Sequence, residues 1–289
     1  MSPGTLKRLA ALLVLLALVW TGWTLRLRRP KDRRLWPQAR SASRLSIGRT
    51  VLSRSSGTWR LEAPFPFPAD APAVDGLLEK LSKVRVSEPL SRNPERHSLF
   101  GVTESSAIRV QGPGLDVFIG SAGADWDAFF VRRAGEDAVL EARGMGRFEL
   151  EGEAQGWAER VLFALAPARK PEIEVASRGR RVSLKPEDGR WPKNAEAVVT
   201  ALSRLEADSI LPDASAHPFV LNGLKRPELR VAVHYPQLDA GGPPAKDFIL
   251  ECGPRKAEFD HPCRKQGVDG FIYELKPHRL QAFYDLLKK

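Results

Sequence analysis

The chain has 289 residues, 43% of them hydrophobic and 28% charged, the proportions of a folded protein long enough for two ordinary domains, so wholesale disorder is excluded. Nine of the 45 Lys and Arg, but only one of the 35 Asp and Glu (Asp32), fall in residues 1–40. The net charge of +10 therefore reduces to +2 for residues 41–289, with 36 basic and 34 acidic groups. A nearly neutral body has no global field for phosphates, which argues against nucleic acid as a partner.

The first element is an apolar run, Leu9 to Leu25, seventeen residues without a charge. As a helix it spans about 26 Å at 1.5 Å per residue, close to the ~30 Å hydrocarbon core of a bilayer. Trp20 and Trp23 suit the headgroup interface. A soluble core helix would carry a polar stripe, and a cleaved signal peptide would end in a small-x-small site; the run ends instead in Trp-Thr-Leu-Arg-Leu-Arg-Arg. The reading is an uncleaved single-pass anchor over residues 1–28 with its basic flank, followed by a juxtamembrane linker over 29–44 that carries Pro30 and Pro37. Two basic residues precede the run (Lys7, Arg8) and six follow closely (Arg26, Arg28, Arg29, Lys31, Arg33, Arg34). The positive-inside rule alone would thus put the body in the cytoplasm, in conflict with the cysteines and the resemblance considered below.

Residues 45–150 form a first α+β unit. Period-two strands are expected at Arg44–Ile47, Thr50–Ser53 and Thr58–Leu61, the last after the turn Ser55-Ser56-Gly57. Pro64, Pro66 and Pro68 exclude a helix or a central strand between them. Asp70 is placed to cap a helix whose apolar face is Val74, Leu77, Leu78 and Leu81. Further strands read at 107–110, 115–120, 129–132 and 138–141. Residues 151–171 connect the units, with a helix expected over Gln155–Ala166 (Trp157, Val161, Leu162, Leu165).

Residues 172–289 repeat the series. Strands are expected at 172–175 and 181–184, then the turn Glu187-Asp188-Gly189 before Trp191. A helix follows, capped by Asn194, with Val198, Ala201, Leu202 and Leu205 inward; strands return at 229–233, 247–251 and 270–274. A last amphipathic helix begins near Pro277 and carries Leu280, Phe283, Leu286 and Leu287. Trp59 pairs with Trp191, Val74 with Val198, Leu78 with Leu202, Val110 with Val231, Gly120 with Gly253 and Phe129 with Phe271, at offsets of 121 to 142. Ordered matches with drift absorbed in loops indicate two tandem copies of one unit. The expected fold class is α+β: an N-terminal transmembrane helix followed by two copies of a β-rich unit, antiparallel strands with one main helix per copy. Trp59, Trp191, Leu78 and Leu202 are expected in the core, because each buried indole or leucine removes a large apolar area from water.

The run Gly57-Thr58-Trp59-Arg60-Leu61, then Pro64, Pro68-Ala69-Asp70 and Ala73-Val74-x-x-Leu77-Leu78, resembles the opening of DUF4340 domains. Phe100-Gly101-Val102, Phe118-Ile119-Gly120 and Phe130-Val131-Arg132 are similar to its later landmarks. The likeness is good over residues 41–150 and weaker over 172–289, and Thr103-Glu104-Ser105 replaces the family's usual Asp and Pro. The resemblance implies a single-pass envelope protein with no established catalytic residues. Genes of the family commonly lie beside those of gliding-motility-type ABC transporters, so it implies an accessory role by association.

Cys252 and Cys263 flank a connection of ten residues between two strands. A disulfide there would stabilise by about 2–3 kcal/mol in the loop-entropy model and would require an oxidising compartment, which favours an extracytoplasmic body; two free thiols are the alternative. Asp260-His261-Pro262-Cys263 lacks the paired spacing of a zinc site. No Gly-x-Ser-x-Gly, Ser-x-x-Lys, Walker A or His-Glu-x-x-His motif occurs. Gly112-Pro113-Gly114 reads as a turn, the five histidines as solvated or capping groups, and Asp125 and Asp127 around Trp126 as turn formers. No cofactor is implied. The leading expectation is a non-enzymatic inner-membrane protein, its soluble region periplasmic, acting as a scaffold for membrane partners such as ABC transporter subunits. The alternatives are an envelope carbohydrate-processing hydrolase using Asp or Glu, and a sensor with a pocket between the repeats.

Overall fold

The computed structural model describes residues 33–166, 171–188, 190–235, 247–255 and 260–288. The chain divides into two compact units between Trp157 and Ala158.

In the first unit the alternating patterns become β1 (Arg33–Arg34), β2 (Arg44–Ile47), β3 (Thr50–Ser55), β4 (Thr58–Ala63) and β5 (Phe67–Pro68). Helix α1 (Ala71–Lys83) follows, then β6 (Arg85–Val86), β7 (Ile108–Gly112), β8 (Leu115–Ala122), β9 (Ala128–Arg133) and β10 (Val139–Arg143). They make one ten-stranded antiparallel sheet in the order β1-β6-β10-β9-β8-β7-β2-β3-β4-β5. The β3–β4 hairpin turns through Ser56 and Gly57, both at positive φ, as a two-residue type I′ turn requires. The proline run ends in a two-residue edge strand, the place where a missing N–H costs least. Asp70 caps α1, its carboxylate accepting from the Ala73 N–H at 3.1 Å. Val74, Leu77, Leu78 and Leu81 are buried as their spacing demands, and α1 packs on β4 and the turn Ala39–Ser41. Each such side chain contributes about 1.5–3 kcal/mol. Trp59 is buried against the helix, its indole N–H donating to Asp75 at 2.9 Å with Arg54 stacked over the ring.

The second unit contains β11 (Val161–Phe163), β12 (Glu172–Ser177), β13 (Arg180–Leu184), α2 (Glu196–Ser203), β14 (Leu205–Glu206) and β15 (Ser209–Pro212). It continues with α3 (Pro218–Leu224), β16 (Leu229–His234), β17 (Phe248–Cys252), β18 (His261–Lys265), β19 (Phe271–Leu275) and α4 (Pro277–Lys288). β11 pairs with β14, and the main sheet runs β13-β12-β16-β17-β18-β19-β15, again antiparallel. The first sheet contains this same seven-strand order as β3-β2-β7-β8-β9-β10-β6. In each, a hairpin and a helix are followed by a strand on the far side of the sheet, and the chain then recrosses the sheet to lay down a four-stranded meander. Cys252 and Cys263 face each other directly across β17 and β18 and are joined by a disulfide, with both residues fully buried.

The expected fold class is corrected. The described residues are mostly antiparallel sheet with four short helices, three of them in the second unit, so the description of one main helix per copy does not hold. No described helix is long and apolar enough to cross a membrane; the expected anchor falls in residues 1–32, outside the described residues. The connecting helix is also corrected: residues 154–157 form a single 3-10 turn, and Val161–Phe163 is a strand that buries Leu162 by pairing with β14. Gly156 in mid-segment and β-branched Val161 favour that outcome. Trp191 is only half-buried and outside any strand, because β4, which carries Trp59, has no counterpart in the second sheet. Phe129 is in β9, whereas Phe271 opens β19; strand order makes β18 the counterpart of β9. Asn194 does not cap α2, which follows directly on a 3-10 turn at Lys193–Ala195.

Gly120 near the end of β8 is a contact position: a Cβ there would meet the Phe100 carbonyl oxygen at 2.2 Å and Val102 Cγ1 at 2.6 Å. Gly120→Ala is expected to cost about 1–3 kcal/mol by overpacking. Gly76→Ala, on the open face of α1, should stabilise by about 0.5–1 kcal/mol; urea unfolding of the two variants checks both signs. The Cys252→Ala/Cys263→Ala variant should lose about 2–3 kcal/mol in the same measurement, and wild type should lose as much under strong reductant; a smaller response to both would show that hairpin pairing alone fixes the loop.

Candidate functional site

Strand direction gathers several loops at one end of the first sheet. β2, β4, β8 and β10 run toward that end, and β3, β7 and β9 start from it. The loops there are Gly48–Arg49, Pro64–Pro66, the segment before Ile108, the β8–β9 hairpin at Gly123–Asp127, and the turn Gly144–Leu150. Of the four exposed large hydrophobic residues described, two are on them, Trp126 (80% exposed) and Phe148 (64%); Leu99 (73%) is on the connector that crosses the sheet face between β6 and β7. The fourth, Leu90, is held near the opposite end, where its N–H donates to Val139.

Each of the three is forced outward by its neighbours. Leu99 precedes Phe100, whose ring is spent on an edge-to-face contact with Phe130 at 4.9 Å and whose carbonyl accepts from Ser121 N–H at 2.9 Å. Trp126 occupies the tip of a hairpin closed by Gly123 N–H to Ala128 (2.8 Å) and Ala128 N–H to Asp125 (3.1 Å). Phe148 lies in a 3-10 turn, over Gly146, where a Cβ would strike the ring at 2.1 Å; the adjacent Arg147 bonds to the Gly120 carbonyl. A partly apolar groove of about 670 Å³ among these loops is lined by Ile47, Ile108, Leu150 and Phe65 together with Arg49, Arg147 and Glu153; Phe148 adjoins it in the chain, and Leu99 and Trp126 are not part of its lining.

The segment carrying Leu99 is pinned from below by Arg132, a buried cation without a carboxylate partner among the described residues. Its Nε donates to the Val102 carbonyl (3.1 Å), its Nη1 to the Glu136 carbonyl (3.1 Å), and its plane lies 4.6 Å from the Phe118 ring. Phe118, Phe130 and Arg132 share the face of the sheet opposite Val117, Ile119 and Val131, so the connector lies over that second face.

The candidate chemical groups are dispersed. Asp125 does not converge with Asp127; it pairs with Arg143 at 2.7 Å, and Glu141 first, then Asp125, raise that guanidinium's pKa. His97 bonds to the Asp137 carbonyl, His217 caps α3 by accepting from Phe219 N–H, and His234 pairs with Asp247 at 2.7 Å. His261 is buried with Nδ1 3.2 Å from the Gly253 carbonyl. The neighbouring Tyr284 phenol is pushed up to about 12 by burial and is neutral at physiological pH. The sulfurs of Cys252 and Cys263 are held in their mutual bond and unavailable as thiolate ligands. Trp59, Leu78 and Leu202 are core residues, well away from solvent. Sequence reading noted Trp126 only as part of a turn and passed over Leu99 and Phe148; the signal available was two adjacent large apolar residues, Leu99-Phe100, in a polar segment.

The family model for a domain of unknown function, DUF4340, matches residues 59–227, more than half of the chain. The chain belongs to that family. No curated protein and no solved structure matches it. The DUF4340 match begins at Trp59 in β4 and runs through α3, so the loop end just described is almost wholly inside it, while β16–β19 and the disulfide lie beyond it.

Replacing Arg132 by Leu leaves the Val102 and Glu136 carbonyls without their donors. The expected cost is about 2–3 kcal/mol, with faster amide exchange at Val102 and Ser121 than elsewhere in the sheet. Equal exchange across the sheet would refute the pinning role.

Proposed function

We propose that this DUF4340 protein is a non-enzymatic envelope protein held at the inner membrane, with an extracytoplasmic body that works as a docking module. The single observation that carries the reading is the exposure of Leu99, Trp126 and Phe148 on three separate segments of the first unit, which also has a partly apolar groove among its loops. Isolated exposed apolar residues are ordinary, but two aromatic rings and a leucine exposed on one unit, with a groove that carries charges of both signs, match the composition of a protein-binding surface. Aromatic side chains at such positions are the usual sources of binding energy. The mixed rim and the neutral body suit a protein partner over a polyanion. The charge-free run Leu9–Leu25 with its basic flank supports the membrane location. The buried disulfide supports an oxidising compartment, against the literal reading of the flanking charges. The partner proposed is a membrane protein, with ABC transporter subunits suggested by the gene association that the family resemblance implies.

Two measurements test this. A reporter active only outside the cytoplasm, fused after Lys289, is expected to be active; silence would return the body to the cytoplasm. Trp126→Ala/Phe148→Ala should reduce recovery of co-purified transporter subunits by tenfold or more, as interface aromatics of this kind predict (about 2 kcal/mol or more in total), with thermal unfolding unchanged. Recovery of the wild-type protein alone from mild detergent would count against the docking role.

A further inference from the structure

At the side of the first sheet remote from β4, a cleft of about 760 Å³ is lined by Arg33, Arg34, Arg92 and Arg133, with Val86, Pro89 and Leu140 as its apolar part. Glu136 and Asp137 are its acidic groups, so cations outnumber anions by two. Among the described residues, no hydrogen bond or ion pair engages the side chains of Arg33, Arg34 or Arg92, whereas Arg133 donates only to the Leu35 carbonyl at 3.4 Å. Elsewhere in this unit arginines are mostly paired: Arg40 with Glu79, Arg44 with Glu62, Arg54 with Asp75, Arg109 with Asp116 and Arg143 with Asp125. A group of unpaired guanidiniums around a concave, partly apolar surface is a receptor for a phosphate-type anion, because the planar fork matches two phosphate oxygens.

The position of the cleft in the chain indicates its occupant. β1, which supplies Arg33 and Arg34, begins eight residues after Leu25, the last residue of the charge-free run, and Arg26, Arg28, Arg29 and Lys31 lie between them. Eight residues reach at most about 28 Å when fully extended. If the apolar run enters a bilayer, the cleft is therefore tied within that distance of its headgroups, and the chain between them carries four further cations while the body is otherwise nearly neutral. We infer that this cleft binds the phosphodiester headgroup of anionic phospholipids, orienting the tethered body on the membrane so that its loop end is presented in a fixed direction. The inference rests on the membrane location proposed above.

The test uses the full chain in nanodiscs of phosphatidylcholine alone or of phosphatidylcholine mixed with phosphatidylglycerol, read by amide hydrogen exchange. Residues 85–92 and 133–140 should exchange about tenfold more slowly on the anionic discs, a protection lost at high salt, as expected when several arginines near the surface each contribute about 1 kcal/mol. Arg33→Glu/Arg92→Glu, which removes no native contact, should abolish the difference while leaving thermal unfolding unchanged. Equal exchange on both kinds of disc, with the chain retained in them, would overturn the cleft assignment and leave the membrane location standing. A chain that fails to stay with either disc would overturn the membrane location, and the lipid occupant with it. Inorganic phosphate titrated onto the chain in neutral detergent supplies the remaining arm: full protection of the same residues by free phosphate, with no dependence on disc lipid, would replace the headgroup by a soluble anion.

Discussion

The antiparallel strand order obliges the chain, in each sheet, to cross back over strands it has not yet made. β6 stands at the far side of the meander, yet β7 must lie next to β2, four strand spacings away, or roughly 19 Å. β15 and β16 stand in the same relation in the second sheet. The connector therefore lies on a sheet face, where its peptide groups leave water and each needs a partner. In the first unit those partners come from the sheet itself: Ser121 N–H binds the Phe100 carbonyl and Arg132 holds Val102. In the second unit the connector contains α3, which satisfies most of its peptide groups internally and buries Val220 and Leu224 against Ile272. Both solutions require close approach to the second strand of the meander, β8 or β17, and both have a glycine at its end. Gly120 sits under Phe100 and Gly101, and a Cβ on Gly253 would come within about 3 Å of the Gly223 backbone.

The same crossing accounts for the exposure of Leu99. A connector held by its main chain has limited freedom to turn its side chains inward. Phe100 takes the available inward site on Phe130, and Leu99 is left in solvent. Trp126 and Phe148 are on turns closed by backbone hydrogen bonds, Ala128 N–H to the Asp125 carbonyl and Glu151 N–H to the Phe148 carbonyl. A partner meeting side chains on hydrogen-bonded turns has less loop to order, which favours affinity from a small number of contacts.

Much of the architecture was legible from local pattern. The hairpins β2–β3 and β3–β4, strands β7 to β10, and α1 with its Asp70 cap follow from period-two and period-3.6 spacing and from turn chemistry. Elements decided by distant pairing were not legible: β1, β5 and β6 have two residues each, too few to carry a periodic signal. β18 begins His261-Pro262-Cys263 and reads as a loop, since proline removes a ladder donor; it forms a strand because the disulfide and the Gly253 N–H to Pro262 carbonyl bond at 2.7 Å hold it between β17 and β19. α3 has seven residues, one of them glycine, below the length at which propensity decides. The match of Trp59 to Trp191 failed because composition and turn context agreed while strand pairing did not. The exposure of Leu99 could not be read at all, because which member of an apolar pair faces solvent depends on contacts with chain segments twenty or more residues away.

The outer strands of both main sheets share a further property. β1 consists of two arginines, β5 ends in Pro68, β13 opens with Arg180-Arg181, and β15 closes in Pro212. Unsatisfied ladder groups invite a neighbouring copy to continue the sheet, and charge, proline and brevity each discourage it. Such borders keep collisions between like copies from growing into filaments. The molecule can then be crowded without its sheets joining edge to edge.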